Sequence, residues 1–93
     1  MNYFVVERSL PGMTQASLTA LPRALHEASR RLSTPSMAVR YVGSVYMPRS
    51  QTCLCLFEAA GVELVRTANE IAQTSYTSIQ ESVLLLVDTG AKP

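Results

Sequence analysis

With 93 residues, eight basic and seven acidic side chains and a net charge of +1, the chain has room for one domain with a thin core and offers no electrostatic case for a nucleic-acid partner. Hydrophobic residues make up 47% and charged residues only 16%, against a usual charged share of roughly 25%. That shortage predicts apolar surface buried against a partner, and a second copy of the chain is the expected one.

The basic residues Arg8, Arg23, Arg30, Arg31, Arg40, Arg49, Arg66 and Lys92 are scattered, so no run of them tracks a phosphate backbone. The longest purely apolar run, Val83 to Val87, is far short of the roughly 20 residues a bilayer span needs. The N-terminus lacks a basic stretch followed by an apolar run, so neither a membrane anchor nor a signal peptide is expected. Cys53 and Cys55 stand two residues apart, too close in a strand for an unstrained bridge. With no disulfide framework, a reducing, cytoplasmic setting is expected.

In chain order, Tyr3 to about Glu7 is β-rich and ends at the turn residues Ser9-Leu10-Pro11-Gly12. Leu18, Leu21, Leu25, Ala28 and Leu32 recur at helical spacing and predict a helix with one buried face. Pro22 is harmless there if Thr19 is the N-cap, and should bend the helix if it starts at Thr14 or Ser17. Met37 to Met47 alternates as a strand, with Val39, Tyr41, Gly43, Val45 and Met47 on one face and Arg40, Val42, Ser44 and Tyr46 on the other. Pro48 to Gln51 makes a short hairpin connection to the strand Thr52 to Glu58. Cys53, Cys55 and Phe57 lie on one face of that strand and Leu54 and Leu56 on the other, which places it in the middle of a sheet.

A second helix is predicted from about Ala60 to Gln73, with Gly61, Leu64, Val65, Ala68, Ile71 and Ala72 inward. A last strand is predicted from Ser78 to Val87. The order β-α-β-β-α-β, with right-handed crossovers, predicts an α+β, ferredoxin-like split β-α-β sandwich: a four-stranded antiparallel sheet with both helices on one face. Residues 1–87 form the single domain and 88–93 a flexible tail. One sheet face is then left bare, and either a second copy in a two-fold pair or a small ligand between sheets would cover it.

The candidate chemistry is sparse. His26, the single histidine, sits on the first helix without a ligand-spaced partner, which argues against a zinc site or a hydrolytic triad. Cys53 and Cys55 share one strand face and could chelate a soft ion, or serve as small buried hydrophobes. Glu7 and Arg8 are adjacent in a strand, so they point to opposite faces. Glu7 could pair with Arg40, or lie near Glu81 and form a two-carboxylate cation site. Single-stranded RNA would need aromatics and basic residues on the two central strands, and Cys53 to Phe57 offers neither pattern.

Four stretches, VVERSLPG (Val5 to Gly12), YVGSVY (Tyr41 to Tyr46), CLCLFEA (Cys53 to Ala59) and IQESV (Ile79 to Val83), resemble in order and spacing a family of small ferredoxin-like proteins long described as a domain of unknown function. Its best-known member type is a nickel-binding homodimer. The resemblance spans about Tyr3 to Val83 and carries Glu7, Arg8, Ser44, Cys55 and Ala59 over as matching positions. It implies Ni²⁺ as the ligand. The chain departs from the family where a histidine is usual in the second helix, for Thr67 stands near that position. Nickel favours imidazole.

The combined expectation is a cytoplasmic homodimer, joined through the open sheet face, that binds a metal ion or small ligand without catalysis. Glu7, Arg8, Tyr41, Ser44, Cys55 and Glu81 are the ligand-binding candidates, and Glu7, Glu81, Cys53 and Cys55 the weak metal candidates. One alternative is a cofactor-independent oxygenase or isomerase in a dimeric α+β barrel, drawing on Glu7, Tyr41, Ser44 or Glu81 in an apolar cavity. Another is a protein-interaction domain using the open sheet.

Overall fold

In the computed structural model, which describes residues 1–87, the elements run β1 (Asn2–Ser9), α1 (Gln15–Leu32), β2 (Val39–Met47), β3 (Thr52–Ala59), α2 (Val62–Ile71) and β4 (Ser78–Ser82). The strands make one antiparallel sheet in the order β2-β3-β1-β4, which puts the first and third strands in the centre. This is the ferredoxin-like α+β fold. The tail expected at 88–93 lies outside the described residues. No described helix is long and apolar enough to cross a membrane.

Alternation along the two central strands sorts their side chains. Phe4, Val6 and Arg8 of β1 and Cys53, Cys55, Phe57 and Ala59 of β3 are buried on the helix side. Leu25 of α1 and Leu64, Val65 and Ala68 of α2 complete that core. Val5, Leu54 and Leu56 alternate to the opposite, open face, where they are half-buried.

One open alternative is decided and two local expectations need correction. The first helix starts at Thr14, not Thr19: the Thr14 Oγ1 accepts from the Ser17 amide at 3.1 Å. Pro22 therefore lies inside α1 and takes away the amide donor that the Leu18 carbonyl would otherwise receive. In β2 the strict alternation fails. Tyr41 pairs with Phe57 and Gly43 with Leu56, so Val42 is an extra residue in a β-bulge. Beyond it the faces exchange, and Ser44 and Tyr46 join Val39 and Tyr41 on the helix side, opposite Cys55 and Cys53. The last strand stops at Ser82 rather than Val87. Its partner β1 begins at Asn2, and Tyr3 already pairs with Ser82, so the ladder runs out.

The inner face of α2 also differs from the expected stripe. Ile71 is exposed, and the fourth inward position is held by a polar residue, Asn69, which is fully buried.

Replacing Thr14 by Ala removes the cap acceptor of α1 and should lower stability by about 1 kcal/mol. Urea unfolding followed by circular dichroism measures this. The same substitution at Thr19, whose hydroxyl donates to the Gln15 carbonyl within the helix, should cost less.

Candidate functional site

The parity of β1 decides the fate of Glu7 and Arg8. Phe4, Val6 and Arg8 share the helix side, so the guanidinium enters the core and is 1% exposed. No carboxylate among the described residues meets it. One Nη donates to Asn69 Oδ1 at 2.6 Å and the other to the Ser75 carbonyl at 3.2 Å. Asn69 is itself oriented by donating from Nδ2 to the Val65 carbonyl at 2.8 Å. The last turn of α2 also presents the negative end of the helix dipole to this region. Arg8 thus ties β1 to α2 and to the α2–β4 connection, while its Nε has no partner. Asn69 and Ser75 were not among the sequence candidates. The signal was available: an asparagine one residue from Ala68 on an inward helical stripe demands a buried partner.

The bulge in β2 brings three of the sequence candidates together. Tyr41 Oη lies 2.5 Å from Ser44 Oγ, and Ser44 Oγ donates to Cys55 Sγ at 3.0 Å. Cys55 Sγ is 3.8 Å from Cys53 Sγ, and both thiols are free and buried. With Ser44 donating to sulfur, the tyrosine hydroxyl is the donor to Ser44, so the chain of protons runs from the sheet edge inward. Burial, and then the neighbouring Cys55 sulfur, push the Cys53 thiol up to about 11. Burial also raises the Tyr41 phenol. These groups stay protonated at neutral pH, which makes them poor nucleophiles and poor metal ligands there.

Glu7 is exposed and belongs to the open face, beside Leu54 of β3 and Ser78 of β4. Glu81 pairs with Phe4, so it projects from the opposite face of the sheet. The two carboxylates do not converge on a cation, because three residues and one reversal of face separate their positions on β1. Arg40 is likewise engaged elsewhere, donating to Glu58 Oε1 at 2.8 Å across β2 and β3. The open face carries a groove of about 450 Å³ whose lining includes Val5, Val42, Val45, Leu54, Leu56 and Leu84. Ser44, Cys55 and Ser82 also border it, and no carboxylate, imidazole or phenol does.

The profile of the SCO4226-like family, described as nickel responsive protein, matches residues 4–81. The chain belongs to that family. Its fold is also that of SCO4226 from Streptomyces coelicolor A3(2), whose crystal structure superposes with a TM-score of 0.76 at 22% identity, covering 90% of this chain and 99% of that one. None of the curated proteins matches.

The described donors of this family member do not gather into a set that could hold nickel. Among the described residues no three of His, Cys, Asp and Glu come together. His26 is exposed on α1, Cys53 and Cys55 are buried core residues, and Glu7 and Glu81 lie on opposite faces.

Replacing Asn69 by Ala leaves the buried guanidinium short of its strongest acceptor and should cost about 2 kcal/mol in urea unfolding. Combining it with Arg8→Met should cost less than the sum of the two changes, a non-additivity that a double-mutant cycle reads. The Cys53 thiol predicts a pH dependence. Its folded value lies above the unfolded one, so its stabilisation is complete below about pH 8.5 and is lost as pH rises toward 11. The urea midpoint should hold at neutral pH and fall through that window, and Cys53→Ala should flatten the fall.

Proposed function

We propose that the protein is a non-catalytic binding protein that works as a homodimer, pairing through the open sheet face and holding its ligand between the two copies. The observation that carries this reading is the apolar character of that face. Val5, Leu54 and Leu56 occupy its centre on the two middle strands, and Val42 and Val45 add to it at 40% and 62% exposure. A chain with so few charges gains by removing such a patch from water, and a two-fold pair needs only one self-complementary surface.

The groove supports binding rather than chemistry, since aliphatic side chains dominate its border and no carboxylate, imidazole or phenol of the described residues lines it. Of Glu7, Tyr41, Ser44 and Glu81, on which an oxygenase or isomerase would draw, Glu7 alone shares the open face. Nickel reaches this chain through its family. Glu7 is the one metal candidate on the open face, and a single carboxylate is not a nickel site. An ion held here is therefore shared, with Glu7 supplied by both copies.

Native mass spectrometry of the full chain, with and without added Ni²⁺, tests the reading. The expected result is a dimer at micromolar concentration, with nickel retained on the dimer alone and lost in Glu7→Ala. A chain that stays monomeric overturns the proposal. A dimer whose nickel uptake ignores Glu7→Ala removes that residue from the ligand set.

A further inference from the structure

The five residues after β4 are aliphatic without exception, and the fold leaves them bare. Val83, Leu85, Leu86 and Val87 are 81%, 85%, 80% and 86% exposed, and Leu84 41%. Their own sheet does not use them. The β1–β4 ladder ends at the pair Tyr3 and Ser82, although β1 extends to Asn2. Nor does the segment carry a residue suited to turning back over its own sheet, since it contains no Gly, Pro, Asn or Asp. The valines at both ends of the run favour an extended chain.

The arm departs at a place that matters. Val83 and Leu84 border the open-face groove together with Val5, Val42, Val45 and Leu54. One chain thus presents an apolar groove with one side uncovered and, leaving its border, an apolar segment whose residues Leu85, Leu86 and Val87 are bare. We infer that Val83–Val87 is an exchanged arm, which lies across the open sheet face of a second copy and closes that copy's groove, with the reciprocal contact made at the same time. The occupant is a second copy because both halves of the contact are on one chain and of one chemistry. A two-fold operation brings each half to its counterpart. A groove bordered by aliphatic side chains also offers no charge by which to select a different partner. This inference rests on the open-face pairing proposed above and adds to it the segment that completes the interface.

A benzophenone amino acid in place of Leu86, in the full-length chain, tests the contact. Labelled (¹⁵N) and unlabelled copies are unfolded together, refolded and irradiated, and the cross-linked peptides are read by mass. The expected product joins peptides of different isotope, from residue 86 to the segments around Val42–Val45 or Leu54–Leu56. Cross-links confined to peptides of the same isotope overturn the arm exchange. In parallel, Leu85→Asp with Leu86→Asp should weaken the dimer at least tenfold by sedimentation or light scattering. Wild-type dimer with an unchanged dissociation constant in that variant overturns the arm and leaves the open-face pairing standing. A wild-type chain that is monomeric overturns both.

Discussion

A buried guanidinium with no counter-ion among the described residues constrains this fold more than any other group. Arg8 enters the core on the same parity as Phe4 and Val6, and it is accommodated only because α2 turns Asn69 inward and the following loop turns the Ser75 carbonyl toward it. An isolated buried charge is expensive, and these hydrogen bonds, with the helix C-terminus, are what offset it. The arrangement links the central strand to the second helix and to the start of β4. The Thr77 amide, donating to the Glu7 carbonyl at 2.7 Å, reinforces the same junction. Placing Arg8 inside also leaves Glu7 outside, and so decides which charged group stands on the open face.

The single extra residue at Val42 has consequences of the same kind. Without it, Tyr41 and Ser44 would lie on opposite faces of β2. With it, they form one hydrogen-bonded line to Cys55, and Val42 and Val45 turn to the open face. The bulge thus supplies both the polar line at the core margin and much of the apolar rim of the groove. Edge strands tolerate such insertions because only one neighbour must adjust.

Family membership and donor geometry emphasise different parts of the molecule. The family is described as nickel responsive, yet the cysteines here are core residues and the carboxylates do not gather. What the chain does carry in quantity is unpaired apolar surface, on the open sheet and along Val83–Val87. In a domain this small, with a thin core, that surface is a large part of what association can stabilise.

Sequence alone determined the element order and hence the fold. Helical spacing in α1, alternation in β1 and β3, and turn residues at Pro11-Gly12 and Pro48 are local signals, and the right-handed crossover rule leaves one compact arrangement for them. The central position of β3 was equally legible, because its residues are apolar on both faces. The tertiary structure decided the rest. Parity alone separates Glu7 from Arg8 but does not say which goes in; that depends on Asn69, sixty-one residues away. A bulge leaves no mark in a strand of β-formers, so the faces of Ser44 and Tyr46 could be assigned only once β2 was laid against β3. The end of β4 is set by where β1 begins, a constraint that local propensity in Val83–Val87 cannot express. Local signals report what a segment prefers, and pairing across the sheet settles which of those preferences is met.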